Sequence, residues 1–218
     1  NGGYRVTPFI IERIEDAKGK VVFEATPAEA CGEGDADPAS DAEPLRMEDI
    51  LRAGDEGPRQ AERVMDPRAS FLVTSMLSDV IQRGTGRRAR ALERTDISGK
   101  TGTTNGPRDA WFSGYNADLV TTAWVGFDDY SLLGRREFGG TAALPIWIRF
   151  MGQALGEERP PAPMPPGVVR LRIDRDSGMR VSGTPKNSLL EYFLEEYLPE
   201  EASPGQRPLG TDELQGLF

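Results

Sequence analysis

Near the start of the chain, Phe, Ile and Val are concentrated over 9–15 and again over 20–24, and the turn formers Asp16-Ala17-Lys18-Gly19 separate the two stretches. That pattern predicts a β-hairpin. Over 25–44 large apolar side chains almost vanish, and Ala, Glu, Asp, Gly and Pro take over. Such a stretch buries too little to offset the entropy of ordering, so a mobile acidic surface loop is expected there. The period then changes. Asp66 suits an N-cap and Pro67 a first helical position, and Ala69, Leu72, Val73, Met76, Leu77 and Val80 follow at helical spacing until Gly84.

Stretches rich in β-branched and aromatic residues follow over 95–104, 110–115 and 119–127, with Asn105-Gly106-Pro107 and Asn116-Ala117-Asp118 as the turns of a three-stranded meander. After Gly139-Gly140, Thr141 is placed to cap a second helix reaching about Leu155. Pro145 would lie in its first turn, and Leu144, Trp147, Ile148, Met151 and Leu155 would form its apolar stripe. Residues 159–167 are dominated by proline and predict a stiff linker. Beyond it, 168–181 reads as a small hairpin turning at Asp176-Ser177-Gly178, 189–197 as a short helix, and the stretch from 199 onward as a poorly ordered tail. The expected organisation is therefore a main part over 1–158, the linker, and a small extension over 168–218.

Composition narrows the chemistry. A formal charge of -9 over 218 residues disfavours nucleic acid, which needs a basic patch to release counterions. No apolar run of about 18 residues is present, and the opening Asn1-Gly2-Gly3-Tyr4 has neither a start Met nor a signal-like pattern, so the sequence reads as a piece of a longer chain. The absence of His removes Ser-His-Asp and Cys-His catalysis and nearly every catalytic zinc site. Cys31 lies among acidic residues without the cations that make a reactive thiolate. Trp111, Phe112 and Trp124 are expected in the core of the meander, Arg87, Arg88 and Arg90 on a solvated face, and Asp128 and Asp129 at a solvated strand end rather than on a metal.

One segment carries a specific chemical signature: Ser98-Gly99-Lys100-Thr101-Gly102-Thr103-Thr104-Asn105. A phosphate loop would need Gly where Arg94 stands, and a helix where Gly102, Asn105, Gly106 and Pro107 stand. A Lys-Thr-Gly box on a strand fits better. With period two, Lys100 points one way and Thr101 and Thr103 the other, while Gly102 leaves the backbone open. A peptide could pair with such an edge as an added strand, with the Thr hydroxyls at its carboxylate and the Thr103 N–H as an oxyanion donor.

The box resembles that of the penicillin-binding and serine β-lactamase superfamily. Arg83-Gly84-Thr85-Gly86 before it, and Asp109-Ala110-Trp111-Phe112-Ser113-Gly114-Tyr115 and Thr121-Thr122-Ala123-Trp124-Val125-Gly126-Phe127-Asp128 after it, are similar to the bifunctional penicillin-binding proteins. So are Asn1-Gly2-Gly3-Tyr4-Arg5-Val6-Thr7-Pro8 and Gly139-Gly140-Thr141-Ala142-Ala143-Leu144-Pro145-Ile146-Trp147. The resemblance implies an α+β transpeptidase fold with an antiparallel sheet between helical layers, to which this chain gives the later strands and a packing helix. It also implies a serine-type D,D-transpeptidase acting on D-Ala-D-Ala stem peptides of peptidoglycan and acylated by β-lactams. Lys100 would bond a Ser-x-Asn serine and supply positive charge. Thr101 and Thr103, with Thr104 beside them, would bind the substrate, Gly102 would keep the cleft open, and the Thr103 amide would complete the oxyanion hole. No metal or organic cofactor is implied. Neither Ser-x-x-Lys nor Ser-x-Asn occurs in the sequence, so the nucleophile is expected in an upstream part of the same protein, together with a glycosyltransferase domain and a membrane anchor at the periplasmic face of the inner membrane. Two other functions stay open: a D,D-carboxypeptidase, and a non-catalytic peptidoglycan-binding or scaffolding module.

Overall fold

A computed structural model of the chain describes residues 2–28, 30 and 60–202. It divides into two compact units, Asn1–Ser70 and Phe71–Phe218. In the first, β1 (Arg13–Glu15) pairs antiparallel with β2 (Val21–Glu24). The Asp16 carboxylate closes the turn by accepting from the amides of Lys18 at 2.8 Å and Lys20 at 3.0 Å, and Gly19 takes the left-handed conformation the turn requires, at φ +77°. The first strand is shorter than the expected 9–15. In the same unit Arg63 lies over the Tyr4 ring, 4.2 Å from its centroid, and Arg5 pairs with Glu62 at 2.7 Å. Of the expected acidic loop, only 25–28 and 30 are described; Cys31 and the remainder lie outside the described residues, as does the expected tail from 203.

Helix α1 (Pro67–Gln82) starts as predicted: the Asp66 carboxylate accepts from the Arg68 amide at 2.8 Å and from its guanidinium. These bonds hold Asp66 below the usual carboxylate range. The buried face differs from the predicted stripe. Ile81 is fully buried, whereas Met76 is 64% exposed and Val73 is also exposed. The helix carries Phe71, Leu72, Val73, Met76, Leu77, Val80 and Ile81 around more than one side, so periodicity alone does not choose the face that meets the core. The chain leaves α1 at Gly84, where a Cβ would lie 2.8 Å from the Val80 Cα. A 3-10 turn, Arg87–Leu92, then buries Ala89 and leaves Arg87, Arg88 and Arg90 exposed, as expected.

The central sheet is the predicted antiparallel meander, in the order β3 (Ser98–Thr103), β4 (Asp109–Tyr115), β5 (Val120–Gly126). Directly paired residues share a face, so Lys100, Ser113 and Thr122 lie on one side and Thr101, Phe112 and Ala123 on the other. Against the second side packs α2 (Leu144–Ala154), entered through a π-helical turn at Gly139–Ala143. Trp147 is fully buried there, 4.9 Å from the Phe112 ring centroid, and its indole N–H donates to the Thr121 carbonyl at 3.1 Å. A side chain at Gly114 would collide with the Trp147 ring. At the other face, α1 reaches the sheet through Thr74, whose hydroxyl lies 3.3 Å from the Tyr115 hydroxyl and whose carbonyl accepts from Ser98. The sheet thus has a helix on each side.

Two expectations for this region need correction. Trp111 and Trp124 are not in the core with Phe112: they are 41% and 45% exposed, paired with each other on the opposite face, with Trp124 donating to the Asp109 carboxylate at 2.9 Å. Period two sends residues 111 and 112 to opposite faces, and α2 covers only that of Phe112. Thr141 acts at the helix start, accepting from the Phe138 amide at 2.8 Å, but Phe138 holds the N-cap position.

Residues between α2 and β6 have no regular structure, yet their start is pinned to the sheet end. Glu158 accepts from the Thr95 amide and hydroxyl at 2.6 and 2.7 Å, and Arg159 bonds Asp96 and Asp118. The C-terminal region then departs from expectation. β6 (Val168–Asp174) pairs antiparallel with β7 (Ser188–Leu194), so the predicted helix over 189–197 is mostly strand. The turn at Asp176-Ser177-Gly178 forms on the Asp174 carboxylate, but the chain after it makes isolated bridges and no strand, Ile173 with Arg180 and Arg180 with Glu201. Leu189, Glu191, Tyr192, Phe193 and Leu194 are partly buried on both strand faces, and that dense two-sided pattern resembles a helix until tertiary contacts decide. Tyr192 meets Phe71 of α1 edge-on at 5.0 Å, and Glu191 pairs with Arg83 at 2.7 Å.

Candidate active site

β3 and β5 are the two edge strands of the described sheet, and the box lies on β3. Its register fixes which backbone groups face outward. The Thr104 N–H bonds across to the Asp109 carbonyl at 3.2 Å, so even-numbered residues of this stretch turn their backbone groups toward β4. By alternation, the N–H and C=O groups of Thr101 and Thr103 turn to the open edge. This is the arrangement that lets an edge accept another extended chain or present an N–H to an oxyanion.

Side chains reinforce the edge. The Lys100 ammonium folds over it, donating to the Thr101 carbonyl at 2.8 Å and to the Thr101 hydroxyl at 3.2 Å. Among the described residues Lys100 forms no ion pair, so its charge is not neutralised locally. The Thr103 hydroxyl accepts from the Gly139 amide at 3.0 Å, which leaves its own hydrogen free to donate. Gly139 itself touches the sheet backbone: a Cβ there would lie 2.6 Å from the Gly102 carbonyl and 2.3 Å from that of Trp111. The π-helical turn therefore backs β3 directly behind Gly102. At Gly102, a Cβ would come within 3.2 Å of the Trp111 Cβ on the paired strand, so the bare backbone relieves crowding across the β3–β4 pair.

Lys100, Thr101, Gly102 and Thr103 are thus brought together. Thr104 is placed apart from them, in the turn: its hydroxyl donates to the Gly106 carbonyl at 3.2 Å and accepts from the Asp109 amide at 3.0 Å. Two residues that the motif reading did not assign are at the site. Thr85 shares a 2.8 Å hydrogen bond with the Thr101 hydroxyl, and Gly139 holds Thr103. Their signal was present in the Gly-Thr and Gly-Gly-Thr stretches, but only the fold shows that these close on the box.

Asp128 and Asp129 are exposed at the end of β5, and hydrogen bonds from Ser131, its hydroxyl first and then its amide at 3.1 Å, hold the Asp129 carboxyl below the usual carboxylate range. Among the described residues no group of three His, Cys, Asp or Glu side chains is arranged to hold a metal, and no helix is long and apolar enough to cross a membrane. A small cavity lined by Leu171, Arg172, Arg180 and Glu201 lies at the C-terminal hairpin and not at β3.

Comparison with known proteins gives three concordant findings. The family model described as the penicillin binding protein transpeptidase domain matches residues 1–130. Penicillin-binding protein 1A of Pseudomonas aeruginosa is 48% identical over 95% of the chain, and penicillin-binding protein 1A of Escherichia coli K12 is 34% identical over 100% of it. The crystal structure of penicillin-binding protein 1A from Haemophilus influenzae superposes with a TM-score of 0.75 at 35% identity, covering 94% of this chain and 31% of that one. The chain spans 28% of the Pseudomonas protein and 32% of the Escherichia protein.

Proposed function

This chain belongs to the penicillin-binding protein transpeptidase family, and on that footing we propose that its β3 edge is one wall of a serine acyl-transfer site that cross-links peptidoglycan. The observation that carries the proposal is the outward-facing Thr101 and Thr103 backbone, with the Lys100 charge folded beside it and Gly102 open between.

The substrate is a stem peptide ending in D-Ala-D-Ala, laid along β3. Its terminal carboxylate is held by the hydroxyls of Thr101 and Thr103 and attracted by Lys100. A serine hydroxyl attacks the penultimate D-Ala carbonyl, and the negative charge that develops on that oxygen is stabilised by the Thr103 N–H. The C–N bond to the last D-Ala breaks, its nitrogen takes the proton given up by the serine, and an ester remains on the serine. An amine of a second stem then attacks the ester, the serine oxygen leaves and is reprotonated, and the new amide is the cross-link. β-Lactams acylate the same serine because they present a strained amide and a carboxylate in similar positions. The chemistry calls for no metal or organic cofactor.

The serine is supplied by part of the protein outside this sequence, since neither Ser-x-x-Lys nor Ser-x-Asn occurs within it. In the whole protein these residues act alongside a glycosyltransferase domain and a membrane anchor, at the periplasmic face of the inner membrane. Thr104 serves the site indirectly, by holding the turn that follows the box.

The test is acylation of the full-length protein by a fluorescent penicillin, with the adduct located by mass spectrometry. The label is expected on a serine outside residues 1–218, and a label within them would overturn the assignment. Thr103→Val keeps the N–H and should weaken binding with little change in maximal rate. Thr103→Pro removes the donor and should lower the maximal acylation rate by about 100- to 1,000-fold, provided melting shows that it is folded. Equal maximal rates for the two folded variants would remove Thr103 from the oxyanion role.

A further inference from the structure

The loop between α1 and β3 supplies a residue that the box itself does not contain. Resting on the site reading above, we propose that Thr85 is a positioning residue: its hydroxyl donates to that of Thr101 and so directs the Thr101 hydrogen outward, toward a substrate carboxylate.

The proposal follows from the hydrogen inventory at one oxygen. A hydroxyl has one hydrogen and two acceptor sites. The Lys100 ammonium can only donate, and it occupies one acceptor site of Thr101 at 3.2 Å. The Thr85 hydroxyl lies 2.8 Å from the same oxygen. If Thr85 donates, both acceptor sites of Thr101 are filled, and among the described residues its hydrogen has no acceptor, so it turns to the open edge. If Thr101 donated to Thr85 instead, the Thr101 oxygen would present a lone pair to an incoming anion. A carboxylate therefore selects the first arrangement, and the neighbouring ammonium strengthens Thr101 as a donor.

Thr85 is held where this requires. The Gly84 and Gly86 amides both bond the Val80 carbonyl, at 3.1 and 2.9 Å, which folds the loop back on the end of α1. Its own carbonyl lies against Gly140, where a Cβ would be 3.1 Å away, and Arg88 reaches the Gly140 carbonyl at 3.5 Å. Thr85 is nevertheless exposed, so its hydroxyl could be satisfied by water. The bond to Thr101 is not needed to rescue a buried polar group, which separates a role at the site from a role in folding.

The test measures acylation of the full-length protein by a penicillin bearing its free carboxylate and by the methyl ester of the same compound. Thr85→Val should lower the second-order rate constant for the acid by about three- to tenfold, mainly through weaker binding. It should change the ester by less than about twofold on the same reasoning. Thr85→Ser should restore the acid rate, and in a Thr101→Val background Thr85→Val should have no further effect. Equal losses for acid and ester, or independent effects of the two residues, would overturn the proposal. If Thr101→Val impairs the acid while Thr85→Val is silent, the Thr85 inference alone fails. If Thr101→Val leaves acid and ester unchanged, the reading of the site fails and this inference with it.

Discussion

The central sheet and the C-terminal hairpin are both antiparallel and both rest on helices, but they are held by different means. Between β4, β5 and α2, the residues Phe112, Leu144, Trp147 and Met151 are fully buried and interlock around glycines that admit no side chain. In β6 and β7 only Val168 is buried, and attachment to α1 comes from one aromatic edge contact and one ion pair shared with solvent. Removing water from apolar surface is additive over area and is not screened by salt, whereas an exposed ion pair is screened and adds little. The lesson is that the part presenting β3 is fixed by packing and the hairpin by marginal contacts. The role proposed for β3, holding hydroxyls and an N–H in fixed positions, calls for the first kind of support.

The sharpest way to break this comparison is Trp147→Ala. It deletes a fully buried indole, opens a cavity against Phe112 and Gly114, and leaves the Thr121 carbonyl without its donor. A loss of about 3–5 kcal/mol is expected in chemical denaturation. A loss below about 1 kcal/mol, the range of an ordinary surface substitution, would mean that the sheet is not organised around α2.

Asp96 should give the next largest effect. Its carboxylate is almost fully buried at the sheet end and accepts from the Arg94 guanidinium at 2.6 and 2.8 Å, from the Arg159 amide and from Asn116. The Arg94 bonds above all lower its pKa to about 2, from an ordinary value of 3.8. Because the folded value is the lower one, Asp96 stabilises the fold at neutral pH, and that contribution is lost as pH falls from about 4 to about 2. Asp96→Asn should therefore destabilise by about 2 kcal/mol at pH 7 and by progressively less at acid pH. A destabilisation independent of pH would show that Asp96 acts through its shape and not its charge.

How far the fold could be read from the sequence follows the same division. The meander, its turns and the α2 stripe were legible because one face of each is buried and the other is not, so a period is imprinted on the residues. Phe112 followed that rule. Trp111 and Trp124 did not, because size suggested burial where alternation denied it. In β7 both faces are partly buried, no alternation survives, and Leu, Glu and Tyr read as helix formers. In the proposed site, Lys100 to Thr103 stand out in the sequence because their spacing has direct chemical meaning on a strand. Thr85 and Gly139 were not, since a hydrogen bond between residues 85 and 101 or 139 and 103 depends on how loops close.

The smallest expected effect is at Glu191, and its sign is opposite to that of Asp96. Arg83 is shared: it bonds Asp79 one turn earlier on α1 as well as Glu191 at 2.7 Å, and the Asp79 bond is the chief cause of its raised pKa. Glu191 is left with part of a partner. Burial in the strand outweighs the Arg83 attraction and raises its pKa above the ordinary 4.5. A carboxyl group with a raised folded value is penalised when ionised. The fold should gain stability as pH falls through the range just above 4.5 in which Glu191 takes up its proton ahead of the unfolded chain. Glu191→Gln, which keeps shape and hydrogen-bonding capacity without the charge, should thus be neutral or stabilising at pH 7, within about 1 kcal/mol. Asp96→Asn and Glu191→Gln measured side by side over pH 2–7 give slopes of opposite sign on these terms. A clear loss of stability in Glu191→Gln at pH 7 would mean that the Arg83 pair anchors the hairpin after all, and that the hairpin is held by charge more firmly than its exposure allows.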